Sequence, residues 1–327
     1  MKRFLIFFLA LFILVSAVVG GIAAYGWHLF TNTGPLQEEV TLILEKGSGL
    51  RSISRKLMNA GVIHNDFAFM FGVRIRSQEK NLKAGEFEIA PGLSGEQVLA
   101  LLVSGKTAVY YLTIPEGLQS REIADLISQN PVLSGDLTIP LVEGSLLPET
   151  YQLRRGDSKN SVAERMISLQ KSAIDDLWKN RKPDPLITSK TDLLILASIV
   201  EKETGLATER AHVAGVFLNR LKRKMRLQSD PTVAYGVTNG VTDLGRPISK
   251  KDLAAKNKYN TYTLKGLPAG PICNPGLDSL KAVLSPMKTK DLYFVADGTG
   301  GHVFAPTLKE HNRNVRNWRK FKKSKSN

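Results

Sequence analysis

The sequence predicts an α+β protein with a single N-terminal transmembrane helix, a small α+β module behind it and a larger α+β body. Three observations predict this. Phe4 to about Tyr25 is uncharged and apolar; short β-rich runs alternate with helical patterns across the rest; and Thr191–Gly205 reads as a helix with no solvent-facing stripe. With 327 residues the chain is long enough for two modest domains and a sizeable core.

The apolar run comes first. It suffices to span a bilayer, for which about 20 residues are needed. Lys2 and Arg3 precede it and Trp27 closes it, which predicts a cytoplasmic N-terminus and an external body. A cleavable signal peptide is the alternative, with Gly21 and Ala23 as small residues near a cleavage site, but its apolar core is normally about 7–15 residues. The expected organisation is 1–3 cytoplasmic, 4–27 anchor, 40–106 small module, 107–312 body and 313–327 basic tail.

Charge selects the class of partner. There are 45 Lys plus Arg against 30 Asp plus Glu, a formal charge of +15, which favours an anionic partner: nucleic acid, lipid headgroups or an acidic polymer. An exported body sets nucleic acid aside and leaves the inner membrane and the cell-wall polymer outside it. The lone Cys273 offers no disulfide framework, so the core must hold the fold.

Val40–Leu44 reads as a strand, followed by Glu45-Lys46-Gly47 and a helix with Leu50, Ile53 and Leu57 on one side, ending at Gly61. A second helix starts after Asn65-Asp66. Phe87-Glu88-Ile89 is a strand ending at Pro91-Gly92, and Ser94 with Gln97 makes a capping box for a helix to about Val103, closed by Gly105. The plan then recurs: strand Tyr110–Ile114, Glu116-Gly117, and a helix carrying Ile123, Leu126 and Ile127. Two such copies would pair their strands in one sheet, unless the similarity is chance.

Glu143–Leu153 reads as a loop centred on Pro148 with Glu149 and Tyr151 beside it, of a kind that lines clefts. An amphipathic helix covers 160–179, and Pro183 and Pro185 break the chain before the buried helix. Thr191 is the expected cap of that helix and Gly205 its stop. At about 100° per residue, Glu201 shares a face with Leu194, Ala197 and Ser198, while Glu203 points roughly 200° away. The two acids therefore do not form a pair. Apolar surroundings would raise the Glu201 pKa, as a general acid near neutral pH requires; a salt-bridged or solvated helix end is the other reading.

Beyond Gly205, Thr208 can cap a helix with Val213, Val216, Phe217 and Leu221 as its packing stripe. Leu227–Thr232 is expected to be a turn, because Pro231 disfavours helix at Asp230. Ser249 and Asp252 start another helix, and the loop 259–271 is dense in polar and aromatic groups, a mixture that suits a sugar. Leu292–Ala296 and His302–Phe304 form a hairpin around Asp297–Gly301, and the basic tail, with little to bury, reads as a solvated, partly disordered segment, with contact to anionic wall polymer or lipid as the alternative.

The five His residues, His28, His64, His212, His302 and His311, lack zinc-site spacing, and neither a Gly-x-Ser-x-Gly elbow nor a phosphate-binding glycine loop occurs. No metal and no cofactor is expected. Carboxylate chemistry remains.

Ala197–Thr204, Leu227–Thr232, Tyr259–Tyr262, Gly266-Leu267-Pro268 and Tyr293–Gly298, in this order, resemble the MltG (YceG-like) family of endolytic murein transglycosylases. The resemblance extends over essentially the whole chain. It implies an inner-membrane enzyme with a LysM-like module at 40–106 and a catalytic domain following, acting on peptidoglycan glycan strands beside wall-synthesis enzymes. The implied reaction cleaves the bond between N-acetylmuramic acid and N-acetylglucosamine without water, leaving 1,6-anhydro ends. The family's essential glutamate is placed on Glu201, with Gln228, Asp230, Asn260, Tyr262 and Glu149 as candidates for holding the sugar. The competing readings are a conventional hydrolase with Asp230 as its base, and a wall-binding protein without catalysis.

Overall fold

The apolar run folds as one uninterrupted helix, α1 (Lys2–Thr31), whose residues 4–19 are exposed along their whole length. In this computed structural model residues 2–241 and 243–325 are described, so Met1 of the expected cytoplasmic segment and 326–327 of the expected tail lie outside them. The described chain divides into two units. The first comprises Met1–Tyr110 with Val132–Ser134 and Gln152–Asp157; the second holds Tyr111–Pro131, Gly135–Tyr151 and Ser158–Asn327.

In the first unit, β1 (Val40–Leu44), α2 (Leu50–Asn59), α3 (Asp66–Ile75), β2 (Gly85–Ile89) and α4 (Gly95–Ser104) follow the expected order. β1 runs antiparallel to β2 with Val40 opposite Ile89 and Leu44 opposite Gly85. The core under this pair gathers Leu44, Leu57, Phe69, Val73, Phe87, Ile89 and Leu102. Phe30 joins it, 1% exposed, which is why α1 runs on past Trp27. Its ring occupies the space above Gly72, where a Cβ would come within 2.5 Å of ring atoms, so α1 and α3 approach closely because that residue is glycine.

The two similar strand-turn-helix units do not share a sheet. β1 takes β2 as its partner, and β3 (Tyr110–Thr113) takes β4 (Thr150–Leu153), so the end of the expected 143–153 loop is a strand. Tyr151 and Leu153 alternate inward from it with exposed neighbours, the period of a half-buried strand.

The second unit continues with α5 (Ser120–Ser128) and α6 (Lys159–Lys179) and packs around α7 (Lys190–Glu203), in which Leu193, Leu196, Ala197, Ile199 and Val200 are fully buried. Its cap is Ser189, reciprocally bonded with Asp192, two residues before the expected Thr191. α8 (Ala207–Lys222) begins after Leu206, leaving Thr208 inside the first turn instead of at the cap. α8 and α11 (Leu277–Leu284) supply Val213, Phe217 and Leu280 to the α7 core. The Leu227–Thr232 turn is in fact the start of α9 (Asp230–Thr238), because a proline in the first helical turn forfeits an N–H that had no helical partner. α10 (Lys250–Ala254) starts at the Ser249–Asp252 box, and β5 (Tyr293–Ala296) pairs with β6 (His302–Ala305) as a hairpin.

The basic tail is helical to Lys325, as α12 (Leu308–Lys325), not a disordered segment. Trp318 stacks on Phe321, whose ring lies against Gly298 of the hairpin turn, so the charged sequence carries an aromatic ridge that gives the helix something to pack.

Candidate active site

The end of α7 sends two carboxyls into different surroundings. Glu201 Oε1 accepts a hydrogen bond from Arg210 Nη2 at 3.0 Å, and its Oε2 accepts one from the Gly276 N–H at 2.9 Å. The same Arg210 nitrogen donates to Glu116 Oε2 at 2.5 Å, and Asp278 lies 3.8 Å from Nη1. The Glu201 and Arg210 side chains are 4% and 9% exposed. Burial raises the Glu201 pKa, opposed by the Gly276 hydrogen bond and the Arg210 charge. A Cβ on Gly276 would fall 1.8 Å from Glu116 Oε1, so the backbone reaches Glu201 only because residue 276 has no side chain. Glu201 is thus held on both oxygens by protein donors.

Glu203 faces elsewhere. It lines a cavity of about 420 Å³ together with Arg220, Gln228, Asp230, Tyr262, Tyr293 and His311. Ser229 Oγ donates to Glu203 Oε1 at 2.5 Å. Burial, reinforced by the negative charge of Asp230, pushes the Glu203 pKa up to about 7, against the lowering effect of the Ser229 hydrogen bond and of His302 and Arg220. A carboxyl near 7 is protonated in part of the population at neutral pH and ionised in the rest, the condition for giving and taking a proton in one cycle.

The pocket wall is set by two laced segments. The Ser229 N–H donates to Thr261 Oγ1 at 2.9 Å, the Gln228 N–H to Thr261 O at 3.2 Å, and the Thr232 and Thr261 hydroxyls share a hydrogen bond of 2.8 Å. Gln228 sits at φ 51°, a left-handed conformation costing a non-glycine residue roughly 1–2 kcal/mol. Tyr262 donates its hydroxyl to Asp230 Oδ1 at 2.6 Å, and burial followed by that bond raises its pKa. Arg220 is buried and committed to carbonyls, Nε to Leu292 O and Nη1 to Leu227 O, both at 2.6 Å. His311, stacked on Tyr293 at 5.2 Å, has its pKa lowered by burial and by Arg220.

Of the residues expected from sequence, Gln228, Asp230 and Tyr262 come together here. Glu201 does not join them; it is turned into the Arg210 cluster. Asn260 is fully buried and ties its loop to the end of α10: its Nδ2 donates to the carbonyls of Asp252, Leu253 and Ala255, and its Oδ1 accepts from the Tyr262 N–H, so it positions Tyr262 and has no face left for a ligand. Glu149 is exposed beside β4, accepting from the Thr150 N–H, and is not among the residues lining the cavity. Sequence reasoning passed over Glu203, Arg220 and His311 as residues lining this cavity, and Glu116 and Arg210 as the partners that tie down Glu201. The 200° separation between the two acids was the available signal: it says that they face different partners, and not which of them faces the pocket.

Residues 42–317 match the family model described as the YceG-like family. A Bacillus subtilis (strain 168) protein named endolytic murein transglycosylase is 31% identical over 333 aligned positions, covering 90% of this chain and 89% of that protein. A Streptococcus pneumoniae serotype 2 protein of the same name is 29% identical, covering 96% of this chain and 65% of that protein. A crystal structure of a yceG-like protein from Listeria monocytogenes superposes with a TM-score of 0.51 at 32% identity, covering 85% of this chain and 99% of that one.

Proposed function

The chain belongs to the YceG-like family, and we propose that it is an endolytic murein transglycosylase whose acid–base group is Glu203. The observation that carries the residue assignment is the position of Glu203 in an open cavity beside Asp230 and Tyr262, with a pKa of about 7. Glu201 is the weaker candidate, because a general acid must reach the glycosidic oxygen and both its oxygens are occupied.

The substrate is the glycosidic bond between N-acetylmuramic acid and N-acetylglucosamine. Protonated Glu203 gives its proton to the bridging oxygen as the bond to C1 breaks, and N-acetylglucosamine leaves with a C4 hydroxyl. The resulting carboxylate takes the proton of the muramyl C6 hydroxyl while that oxygen closes onto C1, which leaves a 1,6-anhydro ring and returns Glu203 to its protonated form. No water is consumed. Asp230, bonded to Tyr262, faces the positive charge that develops at C1, and Gln228 and Tyr262 offer hydrogen bonds to sugar hydroxyls.

Asp230 also favours a second reading. Two carboxyls in one pocket are what a conventional glycoside hydrolase uses, one as acid and one to activate water or attack C1. The products separate the two. Uncrosslinked glycan strands digested in isotope-labelled water should yield anhydromuramyl ends without label; labelled reducing ends would establish the hydrolase and overturn the transglycosylase.

The rest of the reading follows the chain. α1 is an inner-membrane anchor with the N-terminus cytoplasmic, supported by its length and by Lys2 and Arg3 before it. Residues 40–106 are a LysM-like module that holds glycan, supported by the order strand, two helices, strand, helix. The domain that follows acts on nascent strands beside wall-synthesis enzymes and so ends their elongation. Release of the body from its anchor should preserve cleavage of isolated glycan and abolish cellular function.

A further inference from the structure

We propose that the first unit is seated on the bilayer, with Phe67 of α3 immersed in the outermost acyl chains of the leaflet from which α1 emerges and Phe71 at the headgroup boundary; this rests on the reading of α1 as a membrane anchor. Three observations carry it. First, α1 and the module are one folded body: Phe30 is buried with Phe69 beside it, Trp27 packs on Phe30, and α1 runs without interruption from the apolar segment to Thr31.

Second, the lengths fix a depth. The apolar helix Phe4–Thr31 has 28 residues and rises about 42 Å at about 1.5 Å each. A hydrocarbon core of about 30 Å takes about 20 of them. With Lys2 and Arg3 held at the cytoplasmic edge, the apolar core ends near Ala23. α3 starts beside that level: an apolar cavity of about 410 Å³ is walled by Val19, Ile22, Ala23 and Gly26 of α1 and by Phe67 and Phe71 of α3. Further up, Gly72 meets Phe30, so α3 climbs alongside α1 from the hydrocarbon boundary outward.

Third, that face of α3 is mostly bare of protein, with only Phe71 partly covered by α1. Phe67 is 68% and Ile75 53% exposed, and with Phe71 they recur every four residues, one stripe of the helix. The lower end of the stripe, at Phe67, is continuous with the exposed apolar surface of α1 that the bilayer covers, so acyl chains are the occupant of that end that needs no further partner. Arg76 lies over the Trp27 ring at 5.4 Å, at the height where aromatic and cationic side chains meet headgroups. Seated this way, the anchor holds the module at one height and angle above the membrane.

The test uses the full chain in phospholipid bilayers with an environment-sensitive fluorophore on one introduced cysteine; native Cys273 is fully buried and stays unlabelled. Probes replace Phe67, Leu14 at the middle of α1, and Glu88 on the exposed face of β2. Nitroxide lipids bearing the quencher high on the acyl chain should extinguish most of the Phe67→Cys emission, and deep ones that of Leu14→Cys, while Glu88→Cys stays quenched only by aqueous reagents. A quenched Leu14 probe with a Phe67 probe open to aqueous quencher would overturn the immersion and leave the anchor standing. Failure of the Leu14 probe would remove the anchor itself and the inference with it.

Discussion

Glu201 and Glu203 stand two residues apart on the same helix end, both have raised pKa values with burial as the first cause, and their surroundings differ in kind. Around Glu201 the protein has filled every direction: an arginine, a backbone N–H, and a second carboxylate that shares the arginine. Around Glu203 one hydroxyl holds one oxygen, and a cavity takes up the remaining space. Desolvation therefore raises both carboxyls and does not by itself distinguish them. What separates the two, among the described residues, is the unfilled volume beside Glu203 and the absence of a cation hydrogen-bonded to it.

Glutamine substitutions exploit this difference, since glutamine keeps the shape of each side chain and removes its proton chemistry. Glu203→Gln should lose about 10²–10⁴-fold in turnover, the range for a general acid–base group, with folding intact because the amide oxygen can still accept from Ser229. Glu201→Gln should do the reverse, with turnover per folded molecule little changed and stability lowered. Removing one partner of a buried pair costs about 3–5 kcal/mol, and here the low end applies, as Arg210 retains Glu116 and Asp278. Urea denaturation and product counting on both variants decide the assignment: an inactive, stable Glu201→Gln beside an active Glu203→Gln would reverse it.

A smaller effect lies in pH. Glu203 must be protonated to start the reaction, so kcat/KM should fall as pH rises through about 7. Its folded pKa lies above the ordinary 4.5, so its contribution to stability is full below about 4.5 and is lost as pH rises through about 7. The stability of wild type should accordingly fall relative to Glu203→Gln across that window, and a gap independent of pH would mean that Glu203 has an ordinary pKa. Asp230→Asn sharpens the point by removing a charge that helps raise Glu203, which should move the alkaline limb of the rate profile to lower pH while anhydro ends persist. Collapse of activity at all pH values would make Asp230 part of the chemistry, as charge stabiliser if wild-type ends are anhydro and as the second carboxylate if they carry label from water.

The smallest effect belongs to the basic face of α12. Lys320→Ala should change stability by no more than about 0.5 kcal/mol, and if that face meets anionic glycan it should weaken binding at low salt and not at high salt. A loss that is independent of salt would exclude an electrostatic contact.

The sequence by itself determined the elements and the family. The apolar period of α7, the Ser94–Gln97 and Ser249–Asp252 boxes and the hairpin turn at Asp297–Gly301 are written in neighbouring residues, and the structure keeps them. Gln228, Asp230 and Tyr262 were legible as polar groups in loops, because short polar side chains next to proline and aromatics have few local uses. Tertiary structure decided the pairings. β1 took β2 and left β3 to β4; the charged tail became a helix because Phe321, stacked on Trp318, has the hairpin to rest on; Asn260 was consumed by three carbonyls at the end of α10. It also set the different surroundings of the two acids. The periodicity of α7 fixes the angle between Glu201 and Glu203, but Arg210 comes from α8, Glu116 from the turn after β3 and Asp230 from α9, and whether a carboxyl meets a cation or a cavity depends on where those distant segments pack.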